Sequence, residues 1–460
     1  MRTLIKGGYV LSMDPQVGEL PAGDVLVEDG RIAAIAPDID ADAELVDASG
    51  TIVAPGFVDT HRHLWNSTLR GYLPNCTVSQ YASKVLGGVG SVIRPQDVET
   101  SELLGALELL DSGITTVLDW SHCNNGPDFD QAKIGALRQS GVRAIYGHGT
   151  PAGREWLSWE KPLPHPAQEL RKLRETEFAS DDQLLGLAMA ARGPAQTPES
   201  IVVQDWALAR ELGLMITIHC GARWPGATAK PVQVLARLGL LGADVNYSHL
   251  NETSEDDLRL IAASGGTVSI SPLIELMMGH GRPPTGRLLA CGLRPTLSCD
   301  AMVDVPGDMF TQMRTALAFE RQAGLPDDTA ADYTPDLTAR EVLKFATVDG
   351  AASLGLGGKT GSLTVGKQAD IIMVSAGHVN TMPMTDPVGT IVTQADRGNV
   401  DSVFVAGRPV KRHGRLLDVD LNQLRSRVES SRDYILGRAG QLAQPHTSVL
   451  PSGPTGAAGR

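Results

Sequence analysis

Apolar residues in this chain gather in short runs rather than long ones. Residues 55–60, 114–120, 142–148, 184–188, 214–219, 244–249, 267–271 and 295–300 are rich in Val, Ile, Leu and Thr, a length and composition that suit buried strands. Stretches with helical spacing separate most of them, among them 102–111, 201–212 and 255–263. Eight strands alternating with helices predict an α/β fold, a (β/α)8 TIM barrel over 55–357. The ends read differently. Segments 9–11, 24–27 and 31–35 are strand-like pieces broken by Gly, Pro and Asp-Gly turns, and the same texture returns at 369–374 and 402–408. These two pieces, 1–54 and 358–418, are expected to pair into a small flanking β-sandwich domain built from both chain ends. A C-terminal helix is expected over 419–443, and the tail 444–460, rich in Pro, Gly, Ser and Thr, is expected to be disordered.

Composition narrows the class of partner. The 460 residues are 42% hydrophobic and carry a net charge of -13, which argues against nucleic acid and anionic membrane surfaces. No stretch reaches the ~18 uninterrupted apolar residues of a membrane span. The five cysteines (Cys76, Cys123, Cys220, Cys291, Cys299) are scattered without a Cys-x-x-Cys pair. That excludes a disulfide framework or cysteine zinc knuckle and, with no secretion signal at the start, leads us to expect a cytoplasmic protein. Gly358-Lys359-Thr360 imitates a phosphate loop, but Ser353 stands where the motif needs its first glycine.

Candidate chemistry sits where the strands end. His61 and His63 flank Arg62 after the first run, so on a strand they share a face. The fifth run ends at His219, the sixth at His249 and the eighth at Asp300. Barrel enzymes place their active sites at these C-terminal strand ends, so the five residues predict a divalent-cation site.

With these residues in place, the chain resembles the amidohydrolase superfamily over all but its tail. Pro55-Gly56-Phe57-Val58-Asp59-Thr60-His61-Arg62-His63 resembles its strand-one signature, and Gly361-Ser362-Leu363-Thr364-Val365-Gly366-Lys367-Gln368-Ala369-Asp370 its flanking β-domain. The branch it most resembles is that of the cytosine deaminases and triazine chlorohydrolases. The resemblance implies that His61, His63, His219 and Asp300 hold one metal ion, zinc first, with iron, manganese or cobalt as alternatives. It implies that His249 stands beside the bound water and polarises the substrate, and that relatives assemble as homo-oligomers, dimers or larger. Binuclear relatives carry a bridging Lys at the end of strand four; 187–192 has none, so one ion is expected. Such an ion lowers the pKa of bound water from 15.7 to roughly 7. The resulting hydroxide attacks an sp² carbon, with Asp300 accepting the proton and His249 stabilising developing charge.

One departure matters. Deaminases of this branch have a proton-shuttling Glu three residues after the strand-five His, where this chain has Ala222. The expected reaction is therefore hydrolysis of a C–N bond (amide, urea, carbamate or amino-heterocycle) or displacement of a ring substituent in a small nitrogen-rich molecule. Two alternatives stand beside it: a purine- or pyrimidine-like deaminase with a substitute shuttle, and a catalytically silent scaffold of the same fold. Glu252 is one substitute, although Asn251-Glu252-Thr253-Ser254 also reads as a helix start. For substrate contact, Trp65 offers a stacking face or a cap on the barrel, and Arg70 a carboxylate partner or a solvated charge. Both lie in 64–80, read as a loop over the mouth. His122 and His148 end the second and third runs as site residues or structural histidines; His165, His280, His378, His413 and His446 read as surface or loop residues.

Overall fold

The computed structural model describes residues 2–153, 163–222, 230–323 and 337–442; the tail expected to be disordered lies outside them. Five strands open the chain, β1 (Arg2–Leu11), β2 (Glu19–Glu28), β3 (Arg31–Ala36), β4 (Glu44–Asp47) and β5 (Thr51–Pro55). Eight follow at wider spacing: β6 (Phe57–Arg62), β7 (Ile114–Ser121), β8 (Arg143–His148), β9 (Leu185–Ala190), β10 (Met215–Cys220), β11 (Val245–His249), β12 (Thr267–Ile270) and β13 (Pro295–Leu297). They pair in parallel in sequence order, with helices between them, as the alternation of apolar runs and helical spacing requires. Val58, Leu118, Trp120, Ile145, Ala188 and Ala190 fill the lumen, while Phe57, Val117, Tyr146 and Ile216 face the helical layer.

The cylinder closes at one place. β13 meets β6 through an isolated bridge between Arg62 and Asp300. Asp300 N donates to His61 O at 3.1 Å and His63 N to Asp300 O at 3.0 Å. The seam thus sets the end of strand one directly beside the end of strand eight.

The chain returns in β14 (Ile371–Ser375), β15 (Val400–Val405), β16 (Arg408–Arg412) and β17 (Arg415–Leu416). These join β1–β5 in one nine-stranded sheet, with β14 antiparallel to β5. It is the flanking β-layer expected from the two chain ends, with its own core of Ile5, Val25, Val53, Ile371 and Phe404. A buried bidentate pair fastens it to the barrel: Arg143 Nε to Asp370 Oδ2 at 2.7 Å and Arg143 Nη2 to Asp370 Oδ1 at 2.9 Å. The C-terminal helix runs Leu421–Leu442. No described helix is long and apolar enough to cross a membrane, and all five cysteines are free and buried.

The segment read as a loop over the mouth is instead ordered. Leu64–Leu69 is a 3-10 helix with every residue buried, followed by a short helix Val78–Tyr81 and a π-helical stretch Ala82–Gly88. Its apolar side chains pack with Ile274, Val303 and Ile435, and this burial holds the segment in place.

Candidate active site

β6 carries a register shift between Asp59 and Arg62, and such a bulge re-aims the side chains that follow it. His61 and His63 turn to the lumen, while Arg62 points outward to Glu108 (2.5 Å) and Asp59 (3.4 Å). The expectation that the two histidines share a face is met. His63 Nε2 lies 3.2 Å from Asp300 Oδ1 and 3.3 Å from His219 Nε2, and His61 Nε2 lies 3.7 Å from the same Oδ1. His249 Nε2 stands 3.8 Å from the other oxygen, Asp300 Oδ2. His249 and Asp300 both adopt left-handed backbone, φ 83° and 59°. This conformation costs non-glycine residues on the order of 1–3 kcal/mol and gathers at functional sites.

Hydrogen bonds behind the rings decide which nitrogens face the centre. His63 Nδ1 donates to the Trp120 carbonyl at 2.7 Å, which leaves Nε2 with a lone pair. Ser248 Oγ lies 3.0 Å from His61 Nδ1, while His61 Nε2 is buried and makes no hydrogen bond. A lone pair, an orphaned ring nitrogen and a carboxylate held this close repel one another unless a cation stands between them. Burial pushes His61 down to about 4 and, with the neighbouring imidazoles, His219 well below its ordinary value, so both are in the neutral form that ligation needs. Burial opposes ionisation of Asp300, but the His61 and His63 rings beside it hold its carboxyl well below the usual range. Three imidazoles and one carboxylate are a donor set suited to a divalent cation with an open position.

Beside these groups lies a small, partly open cavity. Val78, Tyr81, Leu86, Ile274 and Met278 give it an apolar wall; His122, Gln196 and His280 bring polar edges. His122 therefore lines the pocket, as one of its two readings held. Ala222 lies on this cavity and on a neighbouring one that also reaches Glu252 and Lys230. Glu252 stays in that second cavity; Ser254 caps the helix Glu255–Ser264 by accepting from Asp257 N, so the helix-start reading holds.

Two substrate contacts are corrected. Trp65 is fully buried and outside the pocket lining; its indole Nε1 donates to His122 Nδ1 at 3.3 Å. It supports a pocket residue rather than offering a stacking face, because the 3-10 helix draws it into the apolar cluster. Arg70 forms a bidentate pair with Glu108, 2.5 and 2.8 Å, outside the barrel. It is satisfied there and turned away from the pocket. His148 faces the helical layer, with His165 at 2.8 Å and Asp130 at 3.5 Å.

Sequence reasoning missed two residues. His280, read as a surface or loop residue, lies in a loop but is buried on the cavity wall, its ring 4.7 Å from His249. Glu275 is fully buried behind His249, whose Nδ1 lies 3.1 Å from Oε1. Burial pushes its carboxyl up to about 7, against the pull of the Ser271 N–H. Only a buried acid so near a strand-end histidine gives a hint, and nothing in the sequence shows that the two meet.

Known proteins share this fold over nearly the whole chain. A 5'-deoxyadenosine deaminase of Methanosarcina acetivorans is 28% identical, covering 95% of this chain and 99% of its own. A 5-methylthioadenosine/S-adenosylhomocysteine deaminase of Desulforudis audaxviator is 29% identical over 91% and 96%. Among solved structures, an adenosine deaminase of Xanthomonas campestris with bound zinc matches at TM-score 0.82, 24% identity, covering 95% of this chain and 98% of that one. Atrazine chlorohydrolase of Arthrobacter aurescens complexed with zinc matches at TM-score 0.82 and 21% identity, covering 94% and 100%. The model of the amidohydrolase family matches residues 52–410. On that match, with its barrel and its strand-end histidines and aspartate, this chain belongs to the amidohydrolase family.

Proposed function

We propose that this amidohydrolase-family enzyme, a metal-dependent hydrolase of C–N bonds, removes the exocyclic amine of a flat, aminopurine-like heterocycle. One zinc ion would be held by His61, His63, His219 and Asp300. The observation that carries the reading is the convergence of three ring nitrogens and the Asp300 carboxylate on one point, with partners behind His61 and His63 turning their Nε2 atoms inward. When bound, the ion supplies Lewis acidity and lowers the pKa of water.

The chain's own groups divide the remaining work. Asp300 Oδ1 faces the histidine ligands, which leaves Oδ2 to take the proton of the attacking water. His249 Nε2, beside Oδ2, faces the charge that develops on the substrate. The apolar wall of Val78, Leu86, Ile274 and Met278 receives an uncharged ring and excludes water from it. His122, whose Nδ1 accepts from the Trp65 indole, brings a polar ring to the same pocket wall.

Ammonia release from adenosine, 5'-deoxyadenosine and amino-triazines tests this reading. Turnover of at least one of these is expected, and its loss in His61→Ala and Asp300→Ala chains that remain folded. Full activity in either variant, or hydrolysis of simple amides in place of every aminated ring, would contradict it.

A further inference from the structure

Glu275 sits on the short helix Pro272–Met278, behind His249 and away from the ion ligands. Its carboxyl meets two N–H groups and one imidazole nitrogen in a fully buried setting. Ser271 N donates to Oε1 at 2.8 Å, Asn251 Nδ2 donates to Oε2 at 3.0 Å, and His249 Nδ1 lies 3.1 Å from Oε1. The Asn251 amide is fixed independently, because the same Nδ2 donates to the Arg282 carbonyl at 3.0 Å, an acceptor only. Facing a backbone N–H at one oxygen and an amide N–H at the other, the ionised carboxyl accepts at both. The proton in its contact with the imidazole is in that form carried by His249 Nδ1. The ring is also confined from its other side, where His280 stands edge-on at 4.7 Å and 88°.

We propose that Glu275 is a positioning residue of the reaction: it holds His249 with Nδ1 protonated, and so keeps a lone pair on Nε2 facing Asp300. This rests on the site reading above, in which His249 is the histidine that does not bind the ion. The consequence is a proton route that does not need a carboxylate at Ala222. The attacking water forms the new C–O bond and gives its proton to Asp300 Oδ2. That proton passes to His249 Nε2, 3.8 Å away and so reached through one intervening water, because Nε2 has a lone pair. The imidazolium so formed is balanced by the Glu275 carboxylate. It returns the proton to the leaving nitrogen as the C–N bond breaks, and the resting tautomer is restored.

Nitrogen NMR of the full, zinc-loaded chain labelled at histidine tests the assignment without a substrate. His249 is identified by the signal lost in His249→Gln. The proposal predicts a protonated Nδ1 and an unprotonated Nε2 in the native chain. In Glu275→Met, similar in length but without an acceptor, the proton moves to Nε2, where it donates to Asp300. With the most active aminated substrate, kcat falls about 10–100-fold while KM and zinc per chain stay unchanged, and Glu275→Asp recovers part of the loss. An Nε2–H tautomer in the native chain overturns the proposal whether or not the variant folds. So does an unchanged tautomer, or unchanged kcat, in Glu275→Met. Loss of zinc in His219→Ala bears on the ion site and the tautomer bears on Glu275, so the two readings fail separately.

Discussion

The residues around the centre come in pairs, one facing the cavity and one in contact with it from behind: Trp120 with His63, Ser248 with His61, Glu275 with His249, Trp65 with His122. The facing member of each pair was legible in the sequence, because strand ends and side-chain parity locate it. The backing member was not. A carbonyl has no residue signature, Glu275 meets His249 only through a tertiary contact between the short helix after β12 and the end of β11, and an indole beside the His-x-His pair reads equally well as a substrate face. Trp65→Phe and Arg70→Ala separate the corrected roles. Trp65→Phe removes the donor to His122 and is expected to cost about 1–3 kcal/mol in urea unfolding and to lower kcat/KM, with zinc content unchanged. Arg70→Ala is expected to leave kcat and KM at native values and to cost at most about 1 kcal/mol, since Glu108 keeps its bond to Arg62. Unchanged kinetics in the first, or impaired kinetics in the second, would restore the original assignments.

The strands matched the apolar runs to within a few residues, because buried parallel strands read as continuous Val, Ile and Leu. Helices were less well bounded: the expected 102–111 is Pro95–Asp111, its first turns set by a proline and by Asp97 rather than by apolar spacing. The 3-10 and π-helical segment after His63 was read as a loop, since its order comes from burial under the C-terminal helix. Local backbone fit decides how accurately strand ends are held. Gly149, just after β8, donates N–H to Ser121 O at 3.0 Å, and a Cβ there would stand 2.3 Å from that oxygen. Gly149→Ala must therefore push β8 from β7 beside His122. It is expected to lose about 1–3 kcal/mol of stability and to raise KM more than it lowers zinc content. Native stability by urea unfolding would show that this register is not constrained.

For the molecule as a whole, a sheet made from both chain ends brackets a barrel whose seam is the site. Asp300 closes the cylinder with its backbone and faces the three histidines with its side chain, so barrel closure and the placing of this carboxylate are one event. This explains why three histidines and an aspartate spread over residues 61–300 could be placed together from strand order alone, while pocket shape, which depends on packing of 64–91 and 272–280, could not. Elemental analysis of the full chain purified without chelator tests this central claim most directly. The account predicts about one zinc equivalent per chain, falling to near zero in folded His219→Ala and Asp300→Ala. Two equivalents, metal retained in both variants, or a native chain that added zinc cannot load would contradict it.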